Sequence, residues 1–108
     1  MRRAILIAVA LLGFWPSATA AGFYDGNKLM ADCFSTNGIS ALTCVAYVSG
    51  VVDTASWWRE GRFCLPNGIE YHQAAEVVRL WLSEHPEQWH LSGEVLIREA
   101  LRETFPCN

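Results

Sequence analysis

Seven side chains carry the chemistry most open to interpretation in this chain: Cys33, Cys44, Cys64 and Cys107, with His72, His85 and His90. A cysteine beside one of these histidines would form a nucleophile and base pair, provided its thiol were free and activated. Four cysteines in a short chain have a better use as two disulfides, for which three connectivities exist. Metal binding fits poorly. His85 and His90 are five residues apart and flank Pro86, so they do not share one helix face, and no C-x-x-C pair or Cys/His cluster is present. The expectation is a protein with no metal and no cofactor.

The carboxylates point the same way. Asp53 stands among apolar neighbours, where a lone Asp is more often a structural hydrogen bond or ion pair than a catalyst, and Arg79 is its candidate partner. Glu70, Glu76, Glu84, Glu87, Glu94, Glu99 and Glu103 are scattered as on a solvated face. No nucleophile, base and orienting group assemble into a set, so catalysis is not expected.

Compartment bears on the cysteines, and the N-terminus speaks to it. Arg2 and Arg3 precede an apolar run from Ala4 to Trp15, and Ala18-Thr19-Ala20 supplies small residues at a cleavage site. That layout predicts a secretory signal peptide over residues 1–20, with the mature domain at 21–108. The run is shorter than the ~20 residues of a membrane span, and no cysteine marks a lipidation site, so no anchor is expected after cleavage. Loss of Arg2 and Arg3 moves the formal charge from −3 to −5. An acidic surface argues against nucleic acid and suits solubility or a basic partner.

The remaining length holds one domain, whose core is small enough to need cross-links. Four helices are predicted and no strand, an all-α domain. The first covers about Asn27 to Cys33, capped by Asp25 or Asn27, and ends in the turn residues Ser35-Thr36-Asn37-Gly38. The second starts at Ser40 as N-cap and runs to about Arg59, with Ala41, Val45, Val48, Val52 and Ala55 at helical spacing. The third spans Tyr71 to Glu84, with Ala74, Val77, Val78 and Trp81 on one face, and Pro86 ends it. Ser92 caps the fourth, Gly93 to Phe105, whose apolar face is Leu96, Ile97, Ala100, Leu101 and Phe105.

This layout discriminates among the disulfide pairings. A continuous second helix separates Cys44 from Cys64 by about 30 Å at 1.5 Å per residue. A disulfide needs Cα atoms about 4.4–6.8 Å apart, which excludes that pair. Cys33 lies one short loop from the start of the second helix and Cys64 lies past its far end. The preferred pairing is therefore Cys33–Cys44 with Cys64–Cys107. Among the tryptophans, Trp81 fits a core face. Trp57 and Trp58 are adjacent and point different ways, so one of them is a candidate interface anchor and a second, looser core near Cys64 is the alternative.

The strings GNKLMADC (residues 26–33), CVAYVSGVVD (44–53), CLPNGIEYHQAAEVVRLWLSEHPEQWH (64–90) and EALRETFPC (99–107) together resemble the Rap/Tai family of periplasmic immunity proteins. Its best-known members neutralise peptidoglycan amidase effectors of type VI secretion. Where the family commonly has Thr to cap the third helix, this chain has Glu70, so the cap must come from elsewhere, with Asn67 as the candidate.

The resemblance implies a compact bundle with two disulfides, often a homodimer, with some similarity to HdeA-type acid chaperones. It implies stoichiometric inhibition without turnover, in the periplasm, of an amidase that is often basic. The contact surface suggested by charge, aromatic area and loop exposure is the corner between the third and fourth helices: Glu84, His85, Glu87, Gln88, Trp89 and His90. Packing of the third helix on the fourth is the alternative role for that corner. A periplasmic chaperone-like protein that binds clients weakly is the alternative function, and a small cysteine hydrolase a third.

Overall fold

The computed structural model describes residues 22–55 and 63–108. The signal-peptide segment, Trp57, Trp58 and the predicted end of the second helix lie outside the described residues. Four α-helices follow one another: α1 (Gly26–Cys33), α2 (Gly38–Ala55), α3 (Tyr71–Glu84) and α4 (Gly93–Thr104), with a 3-10 turn at Pro86–Gln88 before α4. Among the described residues there is no strand, only two isolated bridges, Asp25 with Ser92 and Phe63 with Pro106.

Every helix touches the other three. The core takes Leu29 from α1, Cys44 and Val48 from α2, Ala74, Ala75, Val78, Trp81 and Leu82 from α3, and Leu96, Ile97, Ala100 and Leu101 from α4. Each fully buried Leu or Ile contributes about 1.5–3 kcal/mol of apolar transfer. On α3 and α4 the buried positions recur at three and four residues, so one stripe faces inward. α2 differs: Cys44 and Val48 are its only buried residues among those described.

Both predicted disulfides are present, Cys33–Cys44 and Cys64–Cys107, each with Cα atoms 5.0 Å apart. The first ties the end of α1 to the second turn of α2. The second ties the segment before α3 to the end of the chain, where the Cys64 N–H also donates to the Phe105 carbonyl at 2.8 Å.

Four local expectations are corrected, three at helix ends and one at Arg79. α2 is capped by Asn37, not Ser40: Asn37 Oδ1 accepts from the Ile39 and Ser40 N–H groups at 2.9 and 3.3 Å. The Ser35 hydroxyl in turn accepts from the Asn37 N–H at 3.0 Å, which orients a cap three residues earlier than Ser40. On α3 the N-cap is Glu70 itself, and Asn67 is not needed, because Gln73 Oε1 reaches back to the Glu70 N–H at 2.9 Å. Arg79 serves Glu76 rather than Asp53, with both nitrogens of its fork on that carboxylate. A partner three residues away on the same helix is reached without bending the chain. Asp53 is exposed on α2. Asp25 does cap α1, with Oδ1 accepting from the Lys28 N–H at 2.9 Å.

Ser92 stands at the N-cap of α4 but makes no side-chain cap bond. The Gly93 N–H goes instead to the Tyr24 carbonyl at 2.8 Å, so the segment before α1 does the capping. The Pro66-Asn67-Gly68 break before α3 is a turn closed by the Ile69 N–H on the Pro66 carbonyl, with Gly68 at φ 82°, a region open to glycine.

Candidate functional site: the α3–α4 corner and the outer face of α2

The corner begins where α3 runs out of hydrogen-bond donors. His85 is its C-cap, and Pro86, which has no N–H, opens the 3-10 turn. The last carbonyls of α3 therefore need side chains. The Trp89 indole N–H donates to the Leu82 carbonyl at 2.9 Å, and His85 Nδ1 sits 2.7 Å from the Trp81 carbonyl. The His85 ring also stacks on Trp81, with centroids 3.9 Å apart and planes 13° from parallel. Trp81, 6 % exposed, sends its own N–H to Glu103 Oε2 at 2.6 Å.

α1 grips the same corner from the inside. The Trp89 carbonyl accepts from the Asn27 backbone at 2.9 Å and from the Asn27 side chain at 3.2 Å, while the Gly26 N–H donates to the Leu91 carbonyl at 2.9 Å. A Cβ on Gly26 would lie 2.6 Å from the Trp89 backbone and 2.5 Å from Leu96 Cδ1, so only glycine allows this approach. The structure thus brings all six predicted contact residues to one place. His85, Gln88 and Trp89 are half-buried, and Glu84, Glu87 and His90 face solvent.

Beside the corner lies a cluster that the sequence did not announce. Asp32 is buried, accepts from the Tyr24 hydroxyl and has Lys28 Nζ at 3.6 Å. The Tyr24 ring packs on Tyr47 with centroids 4.3 Å apart. Burial, then the hydrogen bond and charge of Asp32, push the Tyr24 phenol well above its ordinary pKa. Burial chiefly, helped by Glu94, raises Tyr47 as well. These shifts keep both phenols protonated, and the cluster fastens the segment before α1 to α2.

The outer face of α2 is the second region of interest. Ile39 and Leu42 are 79 % and 67 % exposed. Further along, Ala46, Tyr47, Gly50, Val51, Thr54 and Ala55 form one wall of a cleft of ≈ 690 Å³. Across it stand Glu94 and Arg98 of α4, an ion pair at 2.9 Å. α2 has a mean hydropathy of 1.4 over 18 residues with 11 % of it buried, long and apolar enough to cross a membrane by length and composition alone. The signal for this face was present in the sequence: Ile39, Leu42 and Ala46 fall off the single stripe that the core requires.

No thiol nucleophile is available, because all four cysteines are in disulfides. Among the described residues no group of three His, Cys, Asp or Glu side chains could hold a metal ion.

Comparison with known proteins agrees with this fold. No curated protein matches the chain. The profile of the Rap1a immunity proteins matches residues 25–107, from the Asp25 cap of α1 to the last cysteine, and so includes all four helices and both disulfides. Immunity proteins act by binding a cognate effector, and a disulfide-linked domain suits the secreted or periplasmic side of a membrane. The chain belongs to the Rap1a immunity protein family.

Proposed function

We propose that the protein is a periplasmic immunity protein which, after removal of residues 1–20, binds and inhibits a peptidoglycan amidase effector of type VI secretion without turning anything over. The observation that carries this reading is the family match over residues 25–107, together with the oxidised state of every cysteine. In the proposal the corner of Glu84, His85, Glu87, Gln88, Trp89 and His90 meets the effector. Glu84, Glu87 and His90 supply the exposed polar rim, and the internal hydrogen bonds of Trp89 and His85 hold that rim in one shape before contact. A preorganised surface loses less entropy on binding. The acidic balance of the mature chain speeds capture of a basic amidase. The outer face of α2 serves a homodimer in this reading, because an exposed apolar patch of this kind is a common subunit contact.

The deciding experiment is calorimetry of the mature, oxidised protein against the amidase encoded beside it, with a peptidoglycan cleavage assay in parallel. Nanomolar affinity with loss of cleavage is the expected result, and absence of binding at micromolar concentration overturns it. One observation favours a second reading, a chaperone-like protein that binds clients weakly: the exposed apolar length of α2. Dissociation of a dimer near pH 3 with suppression of client aggregation is the result that reading requires.

A further inference from the structure

The two disulfides occupy unlike surroundings. Cys33–Cys44 is built into the core: Cys44 is 4 % exposed and packs with the buried residues of α3 and α4, while Cys33 is half-buried. A groove beside α3, which His72, Gln73, Glu76 and Arg79 help to line, touches this pair, but Cys44 itself is held in the core. Cys64 is exposed and Cys107 half-buried. Their bond lies outside the four-helix core and spans a sequence separation of 43, against 11 for the other. Among the described residues the junction has, besides the disulfide, the Phe63–Pro106 bridge, the Cys64 N–H on the Phe105 carbonyl, and the half-buried Phe63, Leu65 and Phe105.

We propose that Cys64–Cys107 is a redox-accessible latch, opened by a dithiol reductant while Cys33–Cys44 and the four-helix core stay closed. Thiol–disulfide exchange requires a thiolate to reach one sulfur of the bond, so access decides which bond reacts first. One thiolate of the reductant attacks a sulfur of the pair and the other cysteine leaves as a thiolate, giving a mixed disulfide. The second thiol of the reductant then displaces the remaining cysteine. The balance is two protein thiols formed and one dithiol oxidised to its disulfide. Opening releases residues 105–108 from the segment before α3 and returns the entropy of a long loop to the chain ends. The core helices keep their buried contacts and their own cross-link. The latch therefore couples the tether at the C-terminal end to the thiol state of the compartment, whichever partner the domain binds.

The test uses the full oxidised chain in native buffer with graded dithiothreitol. Free thiols are trapped with iodoacetamide and mapped by mass spectrometry, and far-ultraviolet circular dichroism is followed in parallel. Cys64 and Cys107 are expected to be alkylated at least tenfold faster than Cys33 and Cys44, with the helical signal retained. Equal rates, the reverse order, or loss of helix in step with the first alkylation overturn the proposal. The double variant Cys64→Ser with Cys107→Ser gives a check without reductant. It is expected to keep the helical signal and the Cys33–Cys44 bond while tryptic cleavage after Arg102 accelerates severalfold. An unfolded variant, or one cleaved at the unchanged rate, overturns it too.

Discussion

The α3–α4 corner and the outer face of α2 differ in how each uses its side chains. At the corner the half-buried polar groups are spent inside the protein, Trp89 on the Leu82 carbonyl, His85 on Trp81 and Asn27 on the Trp89 carbonyl, while Glu84, Glu87 and His90 face solvent. The α2 face is the opposite, apolar and lightly used, with Ile39 and Leu42 in solvent. A helix end followed by proline has carbonyls that must find donors, so the corner was bound to become a hydrogen-bonded knot. A mid-length apolar helix has no such need, and its surplus hydrophobic residues remain outside. One region is shaped by internal demand; the other keeps apolar side chains in solvent.

Gly26→Ala attacks the grip of α1 on the corner, and the largest effect is expected there. The added methyl has no room against the Trp89 backbone, so denaturant unfolding should show a loss of about 3 kcal/mol. A loss under 1 kcal/mol would mean that the corner can shift without α1.

Tyr24→Phe strips buried Asp32 of its hydroxyl donor and should cost about 2 kcal/mol, since that bond is to a charged group. The same site predicts a pH dependence. Folding favours the protonated phenols of Tyr24 and Tyr47, so their contribution is complete below the ordinary tyrosine pKa of about 10 and is lost as pH rises above it. Thermal melts from pH 8 to 11 should show a fall above pH 10 that is smaller in the variant.

Trp89→Phe keeps most of the apolar bulk and leaves the Leu82 carbonyl with only the His85 N–H at 3.1 Å, for an expected loss of about 1 kcal/mol by chemical denaturation. If stability is unchanged, the indole is free to serve a partner and the contrast between the two regions weakens. On the other side, Ile39→Asp with Leu42→Asp should move monomer stability by less than about 0.5 kcal/mol, because both residues are exposed. Sedimentation velocity should show weaker self-association than in the parent chain, and an unchanged profile would remove α2 as a subunit contact.

Much of the fold was legible in the sequence because its determinants are local or arithmetic. The 3.6-residue spacing on α3 and α4, the break at Pro86 and the turn at Gly68 act within a few residues of themselves. The disulfide pairing was legible because helix length forbids Cys44 from reaching Cys64, and one short loop sets Cys33 beside the start of α2 while Cys64 lies past its far end. The caps were less so. Ser40, Asn37, Glu70 and Asn67 all have capping chemistry, and the choice depended on which neighbour oriented which side chain. Arg79, expected to serve Asp53, took Glu76 one helical turn away.

By itself, then, the sequence determined four helices, their inward stripes, the cross-links and the corner where six candidate residues meet, since periodicity, chain length and proline chemistry need no distant partner. Tertiary structure alone decided that Tyr24 would cap α4 and lock onto Asp32, that Gly26 would lie against Trp89, and that the two disulfides would differ in exposure. Each of these depends on how separate elements of the chain pack against one another. Their free energy depends on the burial and geometry that exist only once all four helices have packed.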